Sequence, residues 1–253
     1  MPDWQSDAII LSVRPHGEVN AVVSVLSAAQ GRYAGLVRGG GSTRLRGVVQ
    51  PGNRVRASWR ARLTEQLGQM HLELTDSVPA LLLDSPLRLA GVSAFCALLD
   101  STLPEREMQP ALFTASQALL NLIKMDDSNA GWLEGYIRWE LGLLAAVGYQ
   151  LDLSTCAATG QRQDLAYVSP RSGRAVARHA AGDYVSRMLA LPEFLGGVHC
   201  PKHDWVAGLD LTGYFLATRV FASYNADLPA ARKRLADMVH NRYNIDMIPN
   251  ETL

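Results

Sequence analysis

Asn53-Arg54-Val55-Arg56-Ala57-Ser58-Trp59-Arg60 alternates strictly. Val55, Ala57 and Trp59 fall on one side and Arg54, Arg56 and Arg60 on the other. A two-residue period is what a strand shows when one face enters a core and the other meets solvent. Here the solvent face is arginine. Upstream, Ala8–Val13, Ala21–Leu26 and Arg32–Val37 are short, apolar and rich in β-branched residues. Pro15-His16-Gly17-Glu18 and Ala29-Gln30-Gly31 separate them as turns. Downstream, Met70–Thr75 alternates again. Five short strands in about 70 residues predict a small closed barrel, because closure removes exposed sheet edges. The oligonucleotide-binding (OB) topology is the expected one for five strands.

Past residue 80 the period changes from two to that of a helix. Ser85-Pro86 offers a cap and a first-turn proline for a helix over Leu87–Leu103, which Pro104 stops. A second helix is predicted over Pro110–Met125, and a third over Ala130–Val147, capped by Asp127-Ser128 and closed by Gly148. In the third, Trp132, Tyr136, Trp139 and Leu143 form one stripe and Leu133, Ile137, Leu141 and Leu144 another, as expected of a helix central to a bundle. Residues 150–183 lose helical periodicity and fill with Gly, Ser, Thr and Pro. A helical pattern returns weakly at Tyr184–Leu191 and strongly at Gly208–Tyr224, with Leu211, Tyr214, Ala217, Phe221 and Tyr224 on one face. A last helix is predicted from Pro229 to about His240. The expected fold is α+β: an OB-type barrel over residues 1–80, then an α-helical domain over 81–253 with a small irregular insertion at about 150–183.

The 253 residues carry 24 Lys plus Arg against 24 Asp plus Glu, a formal charge of zero. That zero conceals segregation. Residues 1–80 hold nine Arg and no Lys against six acids, and within 14–62 the nine Arg meet only Glu18. A surface built for solubility mixes its signs. Guanidinium groups suit phosphate because the planar fork donates two bonds and stays charged. Arg14, Arg32, Arg38, Arg44, Arg46, Arg54, Arg56 and Arg60 are therefore the expected nucleic-acid contacts, with Arg62 beside them. The glycines of Gly39-Gly40-Gly41-Ser42-Thr43 are expected to let backbone amides approach a phosphodiester. Tyr33 and Trp59 are candidate base-stacking rings, with the barrel core as their alternative fate.

Other chemistries fit poorly. Gly35–Ser42 overlays a nucleotide-phosphate loop only with Gly41 at its lysine position, and no long helix follows. No G-x-S-x-G elbow or H-E-x-x-H pair occurs, and nothing argues for an enzyme. His199-Cys200-Pro201-Lys202-His203 clusters possible metal ligands, but no second paired knuckle accompanies it. Three cysteines, Cys96, Cys156 and Cys200, are too few for a disulfide framework. With no membrane-length apolar run and an acidic, signal-less N-terminus, a cytoplasmic protein without membrane association is expected. On charge alone, an RNA-binding OB accessory and an interaction adaptor whose barrel only packs on its own helices stay open.

Several stretches are more specific. They are Ala8-Ile9-Ile10-Leu11-Ser12, Gly31-Arg32-Tyr33-Ala34-Gly35-Leu36-Val37-Arg38-Gly39, and Leu45-Arg46-Gly47 through Gln50-Pro51-Gly52. Gly148-Tyr149-Gln150-Leu151-Asp152-Leu153, Cys156-Ala157-Ala158-Thr159-Gly160 and Leu165–Gly173 complete the set. Over nearly the whole chain the sequence resembles the RecO family of bacterial DNA-repair recombination mediators. The resemblance implies a finger-like insertion in the helical domain. Zinc-binding members place two C-x-x-C pairs there, where this chain has Cys156, Thr159, Ala177 and Ala180. One thiolate cannot hold a structural zinc, so a metal-free relic packed by Leu153, Leu165, Tyr167 and Val168 is expected, with no cofactor. The resemblance also implies binding of single- and double-stranded DNA and strand annealing. It further implies contact with the acidic C-terminal tail of single-strand-binding protein, and loading of RecA together with RecR at the nucleoid. Arg138 and Arg171 are candidates for the tail's carboxylates, with Glu134, one turn away, a competing partner for Arg138.

Overall fold

The computed structural model describes residues 2–125, 131–198 and 203–243. Strands β1 (Asp3–His16), β2 (Asn20–Ser27), β3 (Gly31–Val37), β4 (Arg54–Arg60) and β5 (Gln69–Asp76) form a closed barrel in the order β1-β2-β3-β5-β4. Only the β3–β5 junction is parallel, with Leu36 opposite Gln69. β1 is twice the expected length. It pairs with β4 through Asp3–Ile9 and with β2 through Ala8–His16, and a register shift between Ile10 and Ser12 lets it bend from one neighbour to the other. The expectation of an OB-type barrel followed by helices holds, and the fold is α+β.

Alternation decides what enters the barrel. Val55, Ala57 and Trp59 of β4 are buried, as are Val23, Val25, Tyr33, Val37, Met70 and Leu72. Tyr33 lies edge-on to Trp59 at 4.9 Å and to Trp4 at 5.2 Å, and pairs of this kind contribute about 0.5–1.5 kcal/mol beyond area burial.

The chain forms two compact units. The first, Met1–Ser128 with Pro229–Arg232, joins the barrel to helices α1 (Pro86–Thr102) and α2 (Pro110–Met125). Pro86 opens α1 as predicted, but Ser85 does not cap it. Its hydroxyl accepts from Arg88 Nε at 2.9 Å instead.

The second unit, Asn129–Leu228 with Lys233–Leu253, contains α3 (Trp132–Ala146), a three-stranded sheet, α4 (Asp204–Phe215) and, from Lys233 onward, α5 (Ala230–Tyr243). Both predicted stripes of α3 are buried apart from half-buried Leu141, and Gly148 closes the helix with φ +91°. The proposed caps Asp127-Ser128 lie outside the described residues. The aperiodic insertion is a sheet ordered β7-β6-β8, made of β6 (Leu165–Val168), β7 (Ala175–Ala177) and β8 (Leu189–Ala190). Tyr184–Leu191 is therefore not a helix: a 3-10 turn over Gly182–Arg187 leads into β8, which pairs with β6. The stretch predicted as one helix over Gly208–Tyr224 also breaks. A π segment over Leu216–Phe221 follows α4 and shifts the period by a residue. Tyr224 consequently stands out in solvent; Tyr214, still within α4, is also exposed, while Phe215, Leu216, Val220 and Phe221 fill the core. Among the described residues no helix is long and apolar enough to cross a membrane.

Candidate nucleic-acid interface

A cleft of about 1370 Å³ opens on the barrel where the start of β1, the end of β3, the end of β4 and the start of β5 meet. Leu36, Leu45, Val48, Leu67, Met70 and Leu72 contribute apolar lining, and Arg38, Arg44, Arg60 and Arg62 contribute charge. Asp3 is the single acid in that lining. One wall is the β3–β4 connection, whose turn is held by Ser42 Oγ donating to Gly39 O at 2.6 Å and by Arg46 N donating to Ser42 O at 3.1 Å. Buried Asn53 fastens its far end by donating to the carbonyls of Gly47 and Val48 at 2.8 and 2.9 Å. The opposite wall is the β4–β5 connection. There Trp59 Nε1 donates to Leu67 O at 2.8 Å, and Gly68 (φ +64°) lies flat on the indole. A Cβ at Gly68 would come within 2.5 Å of that ring.

The arginines divide into two groups. Arg14, Arg38, Arg44, Arg46, Arg60 and Arg62 are exposed and form no ion pair among the described residues. The others are held by the protein. Arg32 Nε donates to Leu103 O at 2.7 Å just past α1, with Asp100 at 3.7 Å and Glu105 at 3.4 Å. A cation at a helix C-terminus is favoured by the helix dipole. Arg54 Nη2 donates to Gln117 O of α2 at 2.6 Å, and Nη1 lies 3.5 Å from Asp76, which also binds Lys124 Nζ at 2.7 Å. Burial lowers the Arg54 pKa and Asp76 opposes the shift; the guanidinium stays charged. Arg56 faces Asp7 across the β1–β4 pair at 2.9 Å.

Two details of the interface differ from the expected ones. The glycine-run amides are already engaged: Gly39 N donates to Asn20 Oδ1, Gly40 N to Val37 O and Gly41 N to Val19 O. They hold the loop against the β1–β2 turn, so charge at this loop comes from side chains. Tyr33 and Trp59 are core residues, 4% and 2% exposed. Of the tryptophans that line the cleft, Trp4 is the more accessible, half-buried and stacked on Trp59 at 6.3 Å between centroids. The period-two pattern Trp4-Ser6-Ala8 carried the signal for it.

In the second unit, Cys156 is buried, and its Sγ accepts from Ala177 N at 3.2 Å. The segments around Cys156 and Ala177 thus meet. Burial pushes the thiol up, but the Ala177 N–H, the Thr159 hydroxyl and the N–H groups of Thr159 and Ala158 outweigh it and bring the pKa down to about 7. Thr159, Ala177 and Ala180 supply no thiolate or imidazole, so the donor set does not fit a structural zinc. Leu165 and Val168 pack there fully buried, Tyr167 and Leu153 half-buried. Of the His199-Cys200-His203 cluster only His203 is described; its Nδ1 accepts from Trp205 N at the start of α4. Arg138 donates to Phe194 O and lies over the Phe194 ring at 5.4 Å, leaving Glu134 aside.

The fold and the cleft define a protein built from an oligonucleotide-binding-type barrel with an arginine rim, followed by a helical region. Residues 1–78 match the family described as Recombination protein O N terminal, and residues 83–227 match Recombination protein O C terminal. The chain is 51% identical over 238 residues to the DNA repair protein RecO of Rhodospirillum centenum, covering 93% of this chain and 94% of the relative. It is 46% identical over 242 residues to that of Rhodospirillum rubrum, covering 94% and 96%. It is 44% identical over 241 residues to that of a Jannaschia species, covering 95% and 97%. The chain belongs to the RecO family of DNA repair proteins.

Proposed function

We propose that this chain is a recombination mediator that binds single- and double-stranded DNA through the barrel and anneals complementary strands. With RecR it helps RecA replace single-strand-binding protein, whose acidic C-terminal tail it contacts, in the cytoplasm at the nucleoid. The observation that carries the reading is the cleft lined by Arg38, Arg44, Arg60 and Arg62, none of them in an ion pair among the described residues. Their guanidinium groups would displace the counterions condensed on a strand's phosphates, which drives association without reading sequence. The apolar lining beside half-buried Trp4 gives unstacked bases a surface that a duplex cannot use in the same way. Capture and transfer of a strand need no covalent step, so the reading assigns no catalytic residue.

The test is a titration into single-stranded DNA coated with single-strand-binding protein, with and without that protein's acidic tail. The wild type is expected to supershift the tailed complex. The variant R38E/R44E/R60E/R62E should lose naked-strand binding while keeping its thermal transition. Unchanged naked-strand affinity in that variant removes the barrel from the account, and a tail-independent supershift removes the partner.

A further inference from the structure

The second unit carries its own concentration of positive charge, hidden in the acidic total of the helical part. Residues 165–190 hold Arg171, Arg174, Arg178 and Arg187, with His179, against the single acid Asp183. The sheet gathers three arginines at one end. Arg171 sits in the β6–β7 turn, which closes through Gly173 N donating to Ser169 O at 2.9 Å. Gly173 has φ +68°, and a Cβ there would come within 2.8 Å of Leu151 Cδ2, so the turn is closely fitted. Arg219, from the π segment, donates through Nη2 to Arg171 O at 2.7 Å and to Pro170 O at 3.3 Å. Its charge therefore sits at the turn without a carboxylate. Arg187 lies two residues before Leu189, and Leu189 pairs with Val168 two residues before Pro170. Antiparallel pairing thus brings Arg187 to the same end of the sheet.

Arg171, Arg187 and Arg219 are exposed and make no ion pair among the described residues. The neighbouring Arg174 and Arg178 are matched, to Asp152 at 3.3 Å and Asp164 at 3.6 Å. Tyr184 adds a ring. It is 64% exposed and lies three residues before Arg187 in a 3-10 turn, where side chains at i and i+3 eclipse. An exposed aromatic beside unpaired guanidinium groups matches a single nucleic-acid strand, because the arginines take phosphates and the ring takes a base. A purely acidic peptide would use the charge and leave the ring unexplained.

We infer that Arg171, Arg187, Arg219 and Tyr184 form a second contact surface for a single DNA strand. The inference rests on the proposal that the barrel holds the first strand, and it gives one chain a strand-binding surface on each unit, as annealing requires.

The experiment counts oligonucleotides. The full-length protein is titrated with a short labelled oligothymidylate at low salt, and stoichiometry is read by sedimentation velocity. Two per chain are expected for the wild type. R171E/R187E should keep the first site within about twofold, weaken the second about tenfold or more, and slow annealing of complementary strands. Y184A should weaken the second site with the salt dependence unchanged, because it removes no charge. Arg219 is left intact because it supports the turn, and R171Q/R187Q with an unshifted melting transition controls for folding. A wild type that binds one oligonucleotide, with R171E/R187E annealing normally, overturns the second surface and leaves the barrel reading standing. If instead R38E/R44E/R60E/R62E keeps both sites, the barrel reading fails. If R171E/R187E keeps both oligonucleotides but loses an acidic apolar peptide, the surface serves a protein tail and the inference is wrong.

Discussion

Arg54 belongs to the expected DNA-binding set by sequence and to the protein's own scaffold by geometry, and Arg54→Met separates the two roles. The substitution keeps an unbranched apolar stem while removing the guanidinium. Its Nη2 bond to Gln117 O is short, at 2.6 Å, and charged, and hydrogen bonds of that class contribute about 1.5–3 kcal/mol. The ion pair to Asp76 at 3.5 Å adds less than about 1 kcal/mol, since Asp76 keeps Lys124 at 2.7 Å. A loss of about 2–3 kcal/mol lowers the melting temperature of a domain of this size by roughly 5–10 °C. Differential scanning calorimetry reads that shift, and fluorescence anisotropy with a labelled single strand reads binding on the same protein. The expected result is a large drop in melting temperature with affinity within about twofold of wild type below the transition. A tenfold loss of affinity with an unmoved transition would show that Arg54 holds phosphate, and would refute the division of arginines into two groups.

Three further outcomes follow from particular contacts. The Cys156 thiol is ordinarily at 9.0 and sits at about 7 in the folded chain, so stability should rise with pH between about 7 and 9 and be lost as pH falls through that window. Chemical denaturation across that range reads it; Cys156→Ala should flatten the dependence, and an equally steep variant would assign it elsewhere. Gly68→Ala combines φ +64° with a Cβ 2.5 Å from the Trp59 ring, and is expected to cost about 1–3 kcal/mol and open the cleft wall; a neutral melting temperature would contradict the placement of that turn. Elemental analysis after dialysis should find well under one zinc per chain, and a stoichiometric zinc that resists dialysis would show that donors besides Cys156 had been missed.

The barrel was legible because alternation reports which side of a strand is buried, and β4 alternates without interruption from Arg54 to Arg60. The first residues of β1, Asp3–Asp7, were missed because polar Gln5 and Asp7 alternate with half-buried Trp4 and Ser6 and dilute the apolar run. With them went Trp4, the more accessible tryptophan of the cleft. The charge segregation was legible too, but not its division, since nothing near Arg32 or Arg54 in sequence announces Leu103, Asp100 or Gln117. Glycines mark where backbone can turn, and they do not say that all three amides of Gly39-Gly40-Gly41 are already bonded. In the helical part, the π segment defeats a strict helical period, which misplaced Tyr224, while in α4 it is Phe215 and not its neighbour Tyr214 that faces the core. The finger sheet has strands of two to four residues, too short for periodicity to register.

The salt dependence of single-strand binding tests the central claim most directly. Each arginine that meets a phosphate steepens the fall of log affinity with log salt by about 0.7. Replacing Arg38, Arg44, Arg60 and Arg62 by Gln should therefore make the slope shallower by about 2.8, with the melting transition in place. A variant with the wild-type slope and affinity would contradict the assignment of the barrel cleft as the DNA-binding site.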